Sequence, residues 1–339
     1  MTITRISFPE VGKAVYETAE ESLTVGPRDV LIRTLYTTVS AASELAKLTG
    51  RQEVKYPFVP GNRAVGEVLE VGSEVRGFAP GDRVFTHSPH ASHAKAARFL
   101  VKVPEHVELS HAPLVGLALV AITAVRVGTP ELGDRAVVIG MGVVGNLCAQ
   151  LLRSAGVDVI AIDTVAARLD AARRCGISCA LSPSVQDVPG EVMEMTADHG
   201  VEYVIEASGN PAAIDLATSV AARQAEVILL GSPRDEYHAD LTSLLNWVHL
   251  WRPHGSVTLR GAHEWRCPLY PDGFAKHSMQ RNAEILFRMM ADGRLNLRDL
   301  VTHVLPPGEA PSAFDGLLNR KEEYLGVILD WTNQETDKP

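Results

Sequence analysis

The chain has 339 residues, with 41 acidic and 32 basic side chains and a formal net charge of −9. Hydrophobic residues make up 46% and charged residues 22%, which is the composition of a globular protein long enough for two domains. No basic cluster indicates nucleic-acid binding, and no uncharged apolar run of about 18 residues indicates a membrane span. The N-terminus does not resemble a secretory signal and four cysteines are too few for a disulfide framework, so we expect a cytoplasmic protein.

The first 120 or so residues predict a β-rich domain. Short alternating segments occur at Val30–Tyr36, Gly66–Gly72 and Asp82–Phe85. Turn signals such as Gly26-Pro27 and Pro80-Gly81 separate them, which is typical of an antiparallel or barrel-like sheet.

From Ala136 to Gly261 short apolar strands alternate with amphipathic helices, which predicts right-handed βαβ units and a parallel sheet. The predicted strands are Ala136–Ile139, Val157–Ile162, Tyr203–Glu206, Val227–Leu230 and Val257–Leu259. The predicted helices are Val143–Ser154, Ala166–Arg174, Ala212–Ala221 and Leu241–Leu250. A further helix near Gln280–Met290 and a strand at Gly326–Leu329 follow.

The stretch Gly140-Met141-Gly142-Val143-Val144-Gly145 fits G-x-G-x-x-G between a predicted strand and a predicted helix, which is the context of a dinucleotide site. Gly140 permits the tight turn, Gly142 lets the pyrophosphate approach, and Gly145 lets the helix pack closely. The backbone of Val143 and Val144 at the helix N-terminus offers N–H groups to the phosphates.

Asp163 ends the next predicted strand, where a carboxylate binds the adenosine ribose and disfavours a 2′-phosphate, so the sequence favours NAD(H). Asp163 as a helix N-cap is the alternative, and Arg168 nearby would instead favour NADP(H). Ser208 and Gly231, each just after a predicted strand, are assigned to the same cofactor site.

The order of these parts resembles the medium-chain dehydrogenase/reductase superfamily over nearly the whole chain. The resemblance rests on Pro57-Phe58-Val59-Pro60-Gly61, Pro80-Gly81-Asp82-Arg83-Val84, the glycine motif, Glu206-Ala207-Ser208-Gly209-Asn210 and Ala291-Asp292-Gly293-Arg294-Leu295. It implies an α/β protein with a GroES-like β-rich catalytic domain, at 1–123 and 264–339, and a Rossmann NAD-binding domain at 124–263.

Zinc-dependent members hold the metal with a cysteine, a histidine and an acid or second cysteine. The resemblance places these positions at Ala41, Asn62 and near Gly116, and none of these side chains can replace such ligands. No cysteine of the family's structural zinc lobe lies between Val84 and Phe99. We therefore predict no metal site and a likeness to the zinc-lacking subgroup typified by bacteriochlorophyllide a dehydrogenase, whose members oxidise secondary alcohols.

Without zinc, other groups must handle the alcohol proton and the charge on its oxygen. Candidates are Ser43, at the family's proton-relay hydroxyl, and the imidazoles of His87 and His90 in a histidine-rich run. Asn62 is a candidate hydrogen-bond partner for the substrate oxygen, and Arg63 for an alkoxide or anion. The alternatives are a helix N-cap for Ser43, a solvated loop for the histidines, and an ion pair with Glu67 or Glu44 for Arg63.

The aromatic-rich insert at 261–270 suits a polar ring substrate such as a sugar or cyclitol, or else a dimer contact. We predict an NAD(H)-dependent secondary-alcohol/ketone oxidoreductase that acts on a small molecule, and expect a homodimer by superfamily analogy. The alternatives are an NAD(P)H-dependent enone or quinone reductase, and a non-catalytic cofactor-binding homologue.

Overall fold

A computed structural model describes residues 1–96, 98–251 and 255–333. Within them, fifteen strands are β1 (Thr2–Glu10), β2 (Lys13–Glu20), β3 (Val30–Thr38), β4 (Ala64–Val71), β5 (Arg83–Thr86), β6 (His93–Ala96), β7 (Leu100–Lys102), β8 (Arg135–Ile139), β9 (Asp158–Ile162), β10 (Cys179–Leu181), β11 (Val201–Glu206), β12 (Ala221–Leu229), β13 (Thr258–Gly261), β14 (Val301–Leu305) and β15 (Gly326–Asp330).

The same described residues contain nine α-helices. They are α1 (Ala41–Leu48), α2 (Val115–Gly128), α3 (Val143–Ser154), α4 (Ala166–Arg174), α5 (Val188–Met195), α6 (Ala213–Ser219), α7 (Leu241–His249), α8 (Met279–Ala291) and α9 (Ala310–Asn319). Within the described ranges, no helix combines the length and apolarity that a membrane crossing requires.

The chain divides into two compact units. The first comprises Met1–Leu117, Pro268–Gly293 and Leu300–Pro339. Its main sheet runs in the order β14-β15-β3-β4-β5-β7, with β6 also paired to β3, and β1 and β2 form a separate antiparallel hairpin. Apart from the parallel pair β14–β15, the sheet is antiparallel, as predicted for the β-rich domain.

The second unit comprises Ala118–Cys267 and Arg294–Asp299. Its six strands are all parallel in the order β10-β9-β8-β11-β12-β13. This is the strand order of a Rossmann dinucleotide-binding domain, and the order reverses between β8 and β11. The predicted α/β fold with a GroES-like β-rich part and a parallel Rossmann sheet is therefore confirmed.

The short segment Arg294–Asp299 differs from the predicted domain ranges, which gave it to the catalytic domain. The backbone N–H of Asn296 donates to Gln150 Oε1 over 2.7 Å, and Gln150 Nε2 donates back to the Asn296 carbonyl over 3.1 Å. Arg174 and Asp299 add an ion pair at 3.3 Å. These contacts join the segment to α3 and α4 of the second unit.

Candidate functional site

The glycine-rich turn follows β8 and begins α3, as the sequence predicted. Gly140 has φ +95°, a conformation that favours glycine. A Cβ built on Gly145 would overlap the carbonyl oxygen of Gly140 and come within 3.3 Å of the Ala207 Cβ. Gly142 is the N-cap of α3 without a side-chain cap, and open space surrounds its Cα. The first-turn N–H groups of Val143 and Val144 therefore present a helix N-terminus suited to phosphate.

Three loops meet at the carboxyl ends of β8, β11 and β12. A Cβ on Gly140 would lie 2.7 Å from the Ser208 Cα, and one on Gly231 would lie 2.7 Å from the Gly209 Cα. The Ser208 N–H and hydroxyl both donate to Glu206 Oε1, and the Gly231 N–H donates to the Glu206 carbonyl over 2.7 Å. The predicted cofactor residues thus share one edge of the sheet, beside the point where the strand order reverses.

The carboxylate of Glu206 was missed by sequence reasoning because it ends an apolar strand. Burial raises its pKa, and the hydrogen bonds from Ser208 and Gly209 oppose that rise. The carboxylate holds the loop after β11 through Ser208 and Gly209, while the backbone carbonyl of Glu206 bonds the loop after β12.

Asp163 is buried at the end of β9. Its Oδ2 accepts from the Met141 N–H over 2.6 Å and its Oδ1 from the Val165 N–H over 2.8 Å. Asp163 is therefore not the N-cap of α4, which is Val165, but it bonds the N–H of that cap and also the glycine-rich turn. Arg168 Nη1 lies 3.7 Å from Asp163 Oδ2 and partly neutralises the carboxylate.

In the first unit, four of the five predicted catalytic residues lie just before β4 or just after β5, namely Asn62, Arg63, His87 and His90. Ala64 pairs with Thr86, and the His90 N–H donates to the Pro60 carbonyl over 2.9 Å. The two segments therefore keep one antiparallel register between these contacts, which places Arg63 opposite His87. The Thr38 N–H donates to the Arg63 carbonyl over 3.1 Å, so the end of β3 adjoins the same place.

The three positions that correspond to the family's zinc ligands hold no metal-binding set. Among residues 1–96, 98–251 and 255–333, no group of three or more His, Cys, Asp or Glu side chains is arranged to hold a metal ion. Ala41 is the first residue of α1, and Gly116 is the second residue of α2. Methyl, carboxamide and hydrogen do not supply the N, S or O⁻ ligands that zinc requires, so these residues do not fit the metal.

The side chain of Arg63 lies against Gly116. A Cβ built on Gly116 would lie 1.9 Å from Arg63 Cδ, 2.6 Å from its Nε and 2.9 Å from Phe85 Cζ. Arg63 is only 2% exposed, and its Nη1 donates to the Asn62 carbonyl over 3.1 Å. Of the carboxylates suggested as its partner, Glu67 pairs with Arg33 at 2.9 Å and Glu44 bonds to His90. The space of an ordinary Cβ at position 116 is thus occupied by the arginine chain.

His87 was predicted as an acid or base, with a solvated loop as the alternative. Its ring is largely buried, packing at 4.9 Å from the Phe99 ring. Burial, assisted by the positive charge of Arg63, lowers the pKa of His87 to about 3. Both interpretations are therefore unsupported, because a side chain with this pKa is neither solvated nor suited to proton exchange near neutral pH.

His90 is fully buried, so the solvated-loop interpretation is also wrong for this residue. Its Nε2 lies 2.9 Å from Glu44 Oε2 and its Nδ1 lies 2.7 Å from Thr37 Oγ1. Trp331 Nε1 donates to the same Thr37 oxygen over 3.0 Å, and Glu44 Oε1 accepts from the Ser40 N–H over 2.8 Å. Because both ring nitrogens are engaged inside the protein, His90 is a positioning residue rather than a group that touches substrate.

Ser43 lies within α1 and is not its N-cap, which is Ser40. The Ser43 hydroxyl is partly buried, 3.0 Å from the Ser40 hydroxyl and 3.2 Å from the Ser40 carbonyl. The suggestion of an N-cap is therefore wrong, and the relay role of the Ser43 hydroxyl stays a prediction.

Comparison with known proteins identifies both parts of the chain. Residues 143–269 match the family model "Zinc-binding dehydrogenase", and residues 26–108 match "Alcohol dehydrogenase GroES-like domain". The D-guloside 3-dehydrogenase of Escherichia coli is 29% identical over 280 residues, spanning 80% of this chain and 78% of that protein.

Two solved structures share the whole fold. An Escherichia coli structure described as a short chain alcohol dehydrogenase complexed with NADH has a TM-score of 0.80 at 17% identity, covering 97% of this chain and 99% of the other. A Sinorhizobium meliloti zinc-binding dehydrogenase homologue bound to NADP has a TM-score of 0.78 at 18% identity, with the same coverage. At these identities the likeness shows the fold. The two family models, which cover residues 26–108 and 143–269, show that the chain belongs to the medium-chain dehydrogenase/reductase superfamily.

Proposed function

We propose that this protein is a zinc-independent, NAD(H)-dependent oxidoreductase that interconverts a secondary alcohol and a ketone. The observation that carries the proposal is the packing of Arg63 against Gly116. At the position assigned to the third zinc ligand, Gly116 has no side chain and Arg63 fills the space beside it. At the other two positions, Ala41 and Asn62 provide no zinc ligand.

The cofactor preference rests on Asp163. When bound, the nicotinamide cofactor supplies the hydride acceptor of the oxidation. The N-terminus of α3 would hold the pyrophosphate. A carboxylate at the end of β9 accepts ribose hydroxyls and repels a 2′-phosphate, and the lone pairs not used by the Met141 and Val165 N–H groups leave it able to do so.

The proposed substrate class follows from one relative and from the aromatic-rich insert. The relative with 29% identity is named for a sugar derivative, D-guloside. The aromatic-rich insert supplies Tyr270, whose ring is partly exposed and lies 6.1 Å from Phe99. We therefore propose a sugar, cyclitol or other polar ring as the substrate.

Arg63 supplies the charge that zinc supplies elsewhere. Its side chain is only 2% exposed, and its positive charge adds to burial, the larger cause, in lowering the pKa of His87. A fixed cation beside the substrate oxygen favours the alkoxide that forms when the alcohol loses its proton, which the Ser43 hydroxyl would relay to solvent. The alkoxide then gives up hydride to the bound cofactor and becomes the ketone. Neither His87 nor His90 then acts as the proton acceptor.

The test is an oxidation assay of chelator-treated protein whose metal content has been measured, with NAD⁺ or NADP⁺ against sugars, cyclitols and simple secondary alcohols. We expect turnover that survives chelation, does not rise with added Zn²⁺ and prefers NAD⁺. Activity that appears only with Zn²⁺ would refute metal independence. Reduction of an enone by NADPH without oxidation of any alcohol would replace the proposed reaction.

The cofactor preference has a matched pair of variants. Asp163→Asn keeps an oxygen acceptor for one backbone N–H but removes the charge, so the NADP⁺/NAD⁺ ratio of kcat/KM should rise about 10-fold or more. Arg168→Gln removes the nearby cation and should lower the same ratio. An unchanged ratio in both variants would show that these side chains do not contact the adenosine ribose.

A further inference from the structure

Asn62 and Ser88 lie opposite each other on the segment that precedes β4 and the segment that follows β5. The pairing of Ala64 with Thr86 and the bond from the His90 N–H to the Pro60 carbonyl have the same register. If this register continues between the two contacts, Asn62 is the residue directly opposite Ser88. Directly opposite residues in such a pair have Cβ atoms about 4.5–5.5 Å apart and point to the same side.

Each of these two side chains has a buried polar atom that is not hydrogen-bonded. Asn62 Oδ1 and Ser88 Oγ are inaccessible to solvent and lack a partner among the described residues. Ser88 is only 2% exposed. Leaving such atoms unpaired costs folding free energy, and a native protein keeps them where something else completes the bond.

The chemistry of the two atoms defines which group can complete their hydrogen bonds. An amide oxygen only accepts hydrogen bonds, whereas a serine hydroxyl can donate. A hydroxyl group of a ligand, like a water molecule, can do both at once, donating to Asn62 Oδ1 and accepting from Ser88 Oγ. A carbonyl oxygen can satisfy only Ser88, and a methylene satisfies neither.

We infer that Asn62 and Ser88 bind a hydroxyl of the substrate that is not itself oxidised, and so select vicinal diols and polyols over simple alcohols. The inference rests on the proposed function, since it concerns the substrate of the same site. It adds Ser88, which lies beside His87 and across from Asn62, as a specificity-determining residue. A site built to bond a hydroxyl rejects the analogue that lacks it, and here we expect discrimination of at least about 10-fold.

The experiment compares two substrates that differ by one hydroxyl, a vicinal cyclohexanediol and cyclohexanol. We expect the wild-type protein to have a higher kcat/KM for the diol and Ser88→Ala to lower the diol/mono-alcohol ratio about 10-fold or more. Asn62→Leu should lower it as well. The matched control is Thr34→Val in β3, which also removes a buried hydroxyl without a hydrogen-bond partner in the described chain but lies away from the site. This variant should leave the ratio unchanged.

Thermal stability separates a binding role from a structural one. Because Ser88 Oγ has no partner within the described residues, Ser88→Ala should not lower the melting temperature, and neither should Thr34→Val. A fall of several degrees in Ser88→Ala alone would mean that the hydroxyl stabilises the fold, and would overturn the inference.

Binding of the diol in the presence of NADH, which forms a complex without oxidation, separates this inference from the proposed function. Turnover of alcohols with the same diol/mono-alcohol ratio in wild type and Ser88→Ala would refute the inference and leave the proposed function intact. Without turnover of any alcohol, the proposed function fails. Tighter binding of the diol than of cyclohexanol, lost in Ser88→Ala, would then still support the hydroxyl site, and equal binding would refute it.

Discussion

Substitution of Gly116 by alanine tests whether Arg63 really occupies the place of a metal ligand. The added Cβ would lie 1.9 Å from Arg63 Cδ, whereas ordinary carbon contacts are about 3.5–4.0 Å apart. Arg63 cannot swing freely because it is 2% exposed and Phe85 Cζ lies on the same side, 2.9 Å from the new atom. Overpacking of this kind costs about 1–3 kcal/mol, and it opposes the gain of up to about 1 kcal/mol that alanine brings over glycine in a helix.

The assay is a comparison of melting temperatures across a double-mutant cycle. For a unit of this size, a net loss of about 2 kcal/mol corresponds to a fall of roughly 4–8 °C. Arg63→Ala should remove the clash, so that Gly116→Ala becomes neutral or stabilising in that background, with a coupling energy of at least about 1 kcal/mol.

The control is Gly273→Ala, at an exposed position where a Cβ meets nothing within 4 Å. This change should leave the melting temperature nearly unaltered. The reasoning would be refuted if Gly116→Ala were as stable as wild type, or if the loss were the same with and without Arg63.

Two further predictions concern the buried histidines. The pKa of His87 falls from 6.5 to about 3 on folding, so the stability that the neutral ring contributes is complete above pH 6.5 and is lost as pH falls toward 3. In urea titrations, His87→Gln should therefore lose about 2 kcal/mol less unfolding free energy than wild type between pH 7 and pH 5. Equal losses in the two proteins would contradict the assigned burial. His90→Phe leaves the Glu44 carboxylate buried without its imidazole partner and should lower the free energy of unfolding by about 2–4 kcal/mol. The double variant with Glu44→Met should recover part of that loss. A single variant as stable as wild type would refute the positioning role of His90.

Local patterns were enough to predict most of the Rossmann unit. The predicted helices Val143–Ser154 and Ala166–Arg174 have the observed bounds. A glycine turn precedes the first and a strand end precedes the second, and apolar residues at helical spacing show how far each extends. The predicted helix Ala212–Ala221 was too long, since Ala221 already begins β12. β10 and α5 were missed. Three residues of strand are too few to show a period, and only the pairing of β10 with β9 defines that strand.

The candidate site was only partly accessible to sequence reasoning. The prediction of a metal-free site needed only the sequence, because the resemblance assigns the zinc-ligand positions to Ala41, Asn62 and the region of Gly116. The closeness of Arg63 to Gly116, by contrast, joins residues 53 positions apart and has no local signal. Thr37, which bonds His90, also accepts a hydrogen bond from Trp331, 294 positions away. The polar residues next to His90 in the sequence therefore gave no sign that its ring is buried. Burial by distant segments is what changed a candidate acid–base histidine into a positioning residue.

Under the proposed zinc-independent function, the residues at the three positions assigned to zinc ligands belong to one rearrangement rather than to three independent changes. A guanidinium with a fixed position beside Gly116 would repel Zn²⁺ in the same volume, which supports the proposed metal-free site. The small residue at position 116 is in turn what lets the long arginine chain lie there. Once imidazole is replaced by carboxamide, Asn62 presents an acceptor that no described residue satisfies, opposite the equally unsatisfied Ser88. In the proposed function, charge and directed hydrogen bonds at this edge of the sheet thus hold the substrate oxygen in place of a metal.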